Sequence, residues 1–521
     1  MELKTDILVI GSGIAGCAAA IAAARKGARV MLMMGTRDPL ESNTSHAQGG
    51  IVMDGPGDSP ELLSQDIMTA GAGFCNMEAV ENLARKGPAL VRKFLVEELS
   101  VPFCRDAEGN LDLTEEGAHS LPRILHVDDL TGRSIIEAML AAVKREKNIE
   151  LRTGLLAVDL LDLPDHSANR IDIYRPQRCV GAYALDTDTG EVLTITARET
   201  VLATGGVGQI YLHTTNPRTA RGDGVAMSYR IGARLLNLEF IQFHPTALFH
   251  PDANRFLISE SMRGEGAVLI DHKGQPFMER YHRQGSLAPR DVVARAIHNE
   301  LLEHDHPNVY LDITMKPADW IRRRFPHIYQ TCKKYGLDIT SQPIPVVPAA
   351  HYTCGGVAVD LFGRTNINRL RAVGEVSCTG LHGANRLAST SLLEGLVWGW
   401  DAGEDAARTI RENQATDSPI PPIRPFVPET DPVDPALIYQ DWRTIKRTMW
   451  NYVGLVRTPR RLSRAMSILR ELQQEVLSFY RTAVPCNSII GLRNGVTTSL
   501  AILFAAQRNQ TSVGCHYLKE D

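Results

Sequence analysis

Gly11-Ser12-Gly13-Ile14-Ala15-Gly16 has the composition and spacing to hold a pyrophosphate. In a Gly-x-Gly-x-x-Gly run the first glycine permits a tight turn and the second lets the backbone approach phosphate oxygens. The third lets a helix pack close to its strand, so that the helix N-terminus faces the negative charge. The hexapeptide alone is common, and its setting makes it specific: the apolar run Asp6-Ile7-Leu8-Val9-Ile10 precedes it and an alanine-rich stretch over 15–26 follows. The acid that holds a ribose about twenty residues on in nicotinamide-binding versions is missing. Met34 and Gly35 stand there instead, which weakens an NAD reading.

A strand–turn–helix unit must position those residues. Residues 6–10 suit a buried parallel strand, 15–26 a helix ended by Gly27, and 29–33 a second strand. Two later segments repeat the pattern of a strand running into glycine, 200–204 into Gly205-Gly206 and 370–373 into Gly374-Glu375. Both read as sheet strands ending at a ligand crevice, so the core is discontinuous in sequence. Residues 226–349 change character, with aromatic, histidine and proline punctuation and a helix-like stretch over 291–303, and predict an inserted domain above the ligand. A proline- and aspartate-rich segment over 414–435 predicts a linker, and 442–483 and 495–509 have helical composition. The expected architecture is α/β: a Rossmann-like dinucleotide-binding domain in two parts, 1–225 and 350–413, an inserted α+β capping domain, 226–349, and a C-terminal helical domain, 433–521.

At 521 residues the chain is too long for one core. A net charge of -4 gives no basic footprint for nucleic acid or a membrane surface, so an anionic ligand must be held by local geometry. The sequence reads as having no apolar stretch of bilayer length, and as entering a strand at its start instead of a leader, which predicts a cytoplasmic protein. Nine cysteines without a Cys-x-x-Cys pair predict reduced thiols and no metal site.

A resemblance is carried by Asn43-Thr44-Ser45-His46-Ala47-Gln48-Gly49-Gly50, then Ala203-Thr204-Gly205-Gly206, Gly222-Asp223-Gly224, Gly374-Glu375 and Ser391-Leu392. In this order and spacing they resemble the flavoprotein family of fumarate reductases, succinate dehydrogenases and L-aspartate oxidases, over nearly the whole chain. The resemblance implies FAD as the cofactor of the Rossmann-like domain. In that family the segment matching 43–50 wraps the flavin. Acids matching Asp223 and Glu375 contact FAD, Glu375 through a ribitol or ribose hydroxyl, while Leu156 and Ala157 match a backbone contact at the adenine end. Membrane-associated members tether the flavin through a histidine at the position of Asn43. An amide cannot serve as that nucleophile, so noncovalent FAD is expected.

Gln242-Phe243-His244-Pro245-Thr246, Ser259-Glu260, Arg290, His351 and Gly383-Ala384-Asn385-Arg386 match positions around the family's dicarboxylate site. Two carboxylates in a partly desolvated pocket need fixed donors, which the arginine fork and single histidine and serine hydrogen bonds supply. Taken singly, His244 or His351 reads as a structural histidine and Arg386 as a solvated group; their joint occurrence in family order reverses that reading. Arg290 follows Pro289 at the start of a helix-like stretch, where the dipole adds positive potential. The family resemblance gives Arg290 the proton donor or acceptor role. Because a guanidinium normally stays charged, a relay through an acid such as Glu260 is the expected route.

The choice within the family rests on Thr114-Glu115-Glu116-Gly117-Ala118-His119-Ser120. L-aspartate oxidases carry a similar segment in which the acid matching Glu116 faces the substrate's ammonium. Succinate and fumarate lack that cation, and an unpaired carboxylate beside them would cost binding energy. The usual pattern has arginine at Glu115 and glycine at Ala118. The resemblance thus implies oxidation of L-aspartate to iminoaspartate, with hydride passing to the flavin N5 and reoxidation by oxygen or fumarate. The product would feed quinolinate formation for NAD synthesis, with quinolinate synthase as partner. Two rivals stay open: a soluble fumarate reductase or succinate dehydrogenase flavoprotein subunit, and a flavin-binding assembly subunit for an iron–sulfur partner.

Overall fold

Residues 7–10 are all buried, as a strand covered on both faces requires, and they end the first strand, Glu2–Ile10. In the computed structural model, which describes residues 2–253, 255–413 and 419–520, this strand lies inside a seven-stranded sheet. It pairs in parallel with Val30–Met33 on one side and Val192–Leu202 on the other, and Ile149–Arg152 extends the parallel set past Val30–Met33. Along its other edge the long strand Val192–Leu202 changes partner. Residues 192–196 pair antiparallel with Cys179–Asp186, which Leu155–Asp162 flanks, and 200–202 pair in parallel with Leu370–Ala372.

One register row organises the function. Ile10 lies opposite Leu202, and Leu202 opposite Ala372. The loops after these residues therefore leave the sheet side by side at the carboxyl ends of parallel strands, where open α/β sheets bind ligands. Gly11 has φ +116, and a Cβ on it would lie 2.1 Å from the Ala203 carbonyl oxygen. The helix that follows, Ile14–Arg25, is buried everywhere but its last residue and packs on helix Thr390–Glu412. On that partner, Cβ atoms at Gly399 and Gly403 would lie 2.4 Å from the Ala15 carbonyl and 2.2 Å from the Ala19 carbonyl. Alanine facing glycine lets two helices from distant parts of the chain approach at backbone distance, which bulky ridges would forbid.

The four antiparallel strands Ile241–Leu248, Ile344–Thr353, Val309–Asp312 and Val268–Ile270 form a second sheet in that order. Helix Arg290–His304 lies against the first two, over a separate core that includes Leu269, Phe277, Ile297 and Phe325. The predicted linker 414–435 lies outside the described residues over 414–418; beyond them, Ile423 bridges to Ser167. The helical stretch expected over 442–483 is two helices, Pro435–Tyr452 and Pro459–Thr482. Asp434 and Thr458 cap them, each just before a first-turn proline.

The last helix, Asn487–Arg508, corrects an expectation. At 22 residues, with an 18-residue window of mean hydropathy 1.5, it is long and apolar enough to cross a bilayer. That window is 78% buried inside the protein, where Val496, Leu500 and Leu503 pack with Ile445, Met449 and Leu469. A helix covered on nearly every side needs no polar face, so its composition copies that of a membrane span.

Candidate cofactor and substrate site

A cavity of about 820 Å³ starts at the carboxyl ends of the parallel strands and runs under the second sheet. Among the cofactor residues expected from the sequence, Gly11, Ser12, Gly13, Ile14, Ala15, Asn43, Thr44, His46, Ala47, Gln48, Gly49, Gly50, Leu156, Ala157, Asp223, Glu375, Ser391 and Leu392 line it. Gly16 and Ser45 do not. A Cβ on Gly16 would lie 1.8 Å from the Gly11 carbonyl oxygen, so this glycine serves helix packing, and the Ser45 N–H donates to Ser42 Oγ in a short turn.

No side chain caps helix Ile14–Arg25 at Gly13, although the Ile14 N–H donates to Thr44 Oγ1 at 3.0 Å; helix Thr390–Glu412 is likewise uncapped at Ser389. Both present a positive end to the cavity. Asn43 Oδ1, Gln48 Oε1 and Thr204 Oγ1 are buried without a hydrogen-bond partner. Asn43 Nδ2 donates to Glu375 Oε2 at 2.5 Å, and the Thr353 N–H donates to Oε1 at 3.0 Å. Burial pushes the Glu375 carboxyl up to about 7, because those two donors and Arg386 offset only part of the desolvation. Arg221 and Asn494 hold the two oxygens of Asp223 at 3.0 and 2.9 Å. Gly35 packs against Leu156, and Glu41, farther along the chain than a ribose-binding acid stands in nicotinamide-binding versions, also lines the cavity. An elongated cavity with helix N-termini for phosphates and orphaned buried polar atoms along its wall fits FAD.

Glu116, His244, Ser259, Glu260, Arg290, His351 and Arg386 line the other end of the same cavity. Arg290 is the first residue of its helix and pairs through Nε with Glu260 Oε2, while its Nη1 donates to Gln242 Oε1 at 3.4 Å. Buried Arg263 lies 3.6 Å from Glu260. Burial pushes the Glu260 carboxyl up, but Arg290, Arg263 and Arg386 outweigh it and hold the group below its usual range. The Arg386 guanidinium lies 4.6 Å from the Tyr352 ring centre and donates to Ser391 Oγ at 3.3 Å, with Nε buried and unpartnered. Among the described residues no carboxylate pairs with it.

The His244 and His351 rings lie 5.2 Å apart, and burial holds both well below the usual histidine range, so both are neutral. His244 Nδ1 accepts from the Thr246 N–H at 3.2 Å, which assigns its proton to Nε2 as a donor. His351 Nδ1 meets Thr215 Oγ1 at 2.8 Å. Ser259 Oγ accepts from the Ser261 N–H and hydroxyl at 3.3 and 2.8 Å, leaving its own hydrogen free to donate.

Glu116 accepts from Ser389 Oγ at 2.6 Å, and Ser389 in turn accepts from the Gly50 N–H at 3.2 Å. Among the described residues no cationic side chain pairs with Glu116. Its loop keeps the conformation that glycine favours: Ala118 stands at φ +68. A Cβ on the intervening Gly117 would lie 2.7 Å from Glu260 Oε1, so the Glu116 loop abuts the Arg290–Glu260 pair. Ser389, Thr215 and Tyr352, which orient Glu116, His351 and Arg386, escape sequence reasoning. Each is a common residue whose partner is remote in the chain.

Residues 6–392 match a family model described as an FAD binding domain. The L-aspartate oxidase of Pseudomonas aeruginosa is 42% identical over 529 residues, covering 98% of this chain and 94% of that protein. That of Halobacterium salinarum is 44% identical over 519 residues, covering 99% and 97%. Among solved structures, the FrdA chain of an E. coli quinol fumarate reductase superposes with a TM-score of 0.87 at 27% identity, covering 100% of this chain and 92% of that one. Mycobacterium smegmatis Sdh1 gives 0.82 at 29% identity, covering 99% and 89%. Relatives matched over nearly their full length, and a family model that covers residues 6–392 around the cavity at the carboxyl ends of the parallel strands, place this chain among the L-aspartate oxidases, within the flavoprotein family of fumarate reductases and succinate dehydrogenases.

Proposed function

We propose that this protein oxidises L-aspartate to iminoaspartate with noncovalently held FAD, which oxygen or fumarate reoxidises, as a step in cytoplasmic NAD synthesis. The carrying observation is Glu116, a carboxylate on the substrate cavity with a hydroxyl donor and, among the described residues, no cationic partner, which suits an ammonium and penalises succinate.

Arg386, the His244 Nε2–H, His351 and the Ser259 hydroxyl bind the two carboxylates, while Glu116 receives the amino group. When bound, FAD supplies the hydride acceptor at N5. Arg290 is on the cavity wall with its Nε on Glu260, so a proton leaving the amino nitrogen would pass to the guanidinium only as Glu260 takes one from Nε. The fixed side chains set the distance and angle at the α carbon, which is the protein's main contribution. Asn43 offers no nucleophile for a flavin tether and its amide is engaged by Glu375, so denaturation should release all the yellow colour. Iminoaspartate is a hydrolysable imine, which favours direct hand-over to quinolinate synthase.

Anaerobic mixing of the purified yellow protein with L-aspartate should bleach its flavin absorbance. Bleaching by succinate and not by aspartate would overturn the assignment.

A further inference from the structure

We propose that the strap over 513–518 is a positioning element of the substrate site, acting on Arg290 and Arg386 through Cys515, Asn385 and Gln242. The inference rests on the dicarboxylate reading of that site.

The strap is held from behind and presses forward. Behind it, fully buried Arg457 donates to His516 Nδ1 at 2.6 Å and to the Glu239 carbonyl at 2.8 Å, and the backbone of Arg457 bonds to Tyr517 and Lys519. In front, the Cys515 N–H donates to the Ala384 carbonyl at 2.9 Å, two residues before Arg386. Cys515 Sγ donates to Asn385 Oδ1 at 3.3 Å, and the same oxygen accepts from Gln242 Nε2 at 2.8 Å. Gln242 is buried, and its amide bridges the two substrate arginines: Nε2 also donates to the Arg386 carbonyl at 2.9 Å, and Oε1 accepts from Arg290 Nη1. The helix that Arg290 opens makes its own contact, since Arg295 Nη1 donates to the Gly514 carbonyl at 3.3 Å.

This wiring fixes which way the Gln242 amide points. Asn385 Oδ1 and the Arg386 carbonyl are both acceptors, so they require the NH₂ end and leave the carbonyl end for Arg290. Remove the strap and the 383–386 loop loses the surface behind it, while Asn385 is free to turn. Gly514 marks how close the approach is: at φ +52, a Cβ there would lie 2.4 Å from the Ala384 carbonyl oxygen.

The test uses full-length, FAD-loaded protein and the flavin difference spectrum produced by malonate, a non-reacting dicarboxylate, so that it does not depend on which dicarboxylate is oxidised. Gly514→Ala should raise the malonate dissociation constant about tenfold or more, and Cys515→Ala about threefold, with FAD affinity unchanged. Cys515→Ser, which keeps a donor for Asn385 Oδ1, should restore the wild-type value. Wild-type malonate binding in both Gly514→Ala and Cys515→Ala would overturn the proposal. So would a parallel loss of FAD affinity, which would make the strap a general stabiliser. Failure of aspartate to bleach the wild-type flavin would count against the aspartate reading alone.

Discussion

Replacing Glu116 by glutamine isolates the feature that separates an amino-acid substrate from a plain dicarboxylate. Glutamine keeps the length and one carbonyl oxygen that can still accept from Ser389 Oγ, so the loop and its contact with Gly49 persist and only the charge is lost. A charge-assisted hydrogen bond to the ammonium contributes about 1.5–3 kcal/mol. The bare Coulomb term for charges about 4 Å apart at an effective dielectric near 20 is about 4 kcal/mol, an upper bound once cavity water is counted. At about 1.4 kcal/mol per tenfold, kcat/KM for L-aspartate should fall about 10- to 100-fold. Fumarate reduction by the same variant, driven by an artificial donor, should change by less than about threefold, since that substrate offers Glu116 no cation. The assay is anaerobic stopped-flow bleaching with aspartate, set against reoxidation of the reduced flavin by fumarate. Equal losses in the two half-reactions would refute the idea that Glu116 reads the amine.

Glu375 makes a pH prediction. Its carboxyl is raised from 4.5 to about 7, so its contribution favours the fold below about pH 4.5 and is lost as pH rises towards 7, at most about 3 kcal/mol. Urea midpoints of the FAD-free protein should therefore decline over that window, and Glu375→Gln should flatten the curve. FAD should bind more tightly above pH 7, where an ionised Glu375 can accept from a ligand hydroxyl; an affinity that falls with pH would exclude that contact. Ala118→Gly relieves the left-handed strain at φ +68 and should stabilise the protein by about 0.5–1 kcal/mol in urea titration, with little effect on FAD content. Gly399→Val drives a side chain into the Ala15 carbonyl and should cost about 3 kcal/mol or more, with yellow colour lost on purification as the readout.

What is legible in the sequence is local. The strand, glycine turn and helix over 6–26 announce themselves because each signal lies within one turn of the next. The later strands near 200 and 370 are legible as strands, yet the alignment of Ile10, Leu202 and Ala372 is not, since register between remote segments leaves no periodic mark. Arg290 and Glu260 are nominated as a pair only through the family resemblance, and the fold brings them into contact. Ser389 cannot be nominated at all: its left-handed backbone and its bond to Glu116 both arise from packing at the start of a helix far from that acid. The helical composition over 442–483 carries no boundary of its own, although Pro459, in the first turn of the second of its two helices, is a readable start signal.

The shared row of Ile10, Leu202 and Ala372 also bears on biogenesis. During synthesis the glycine turn leaves the ribosome early, but the crevice it serves stays incomplete until the strand at 370 and the helix opening at Thr390 have followed it out. Apolar segments such as 14–24 must wait meanwhile for their partner, a period in which chaperones would be useful. Prosthetic-group loading is thus a late event, and a message cut before codon 370 yields a colourless product.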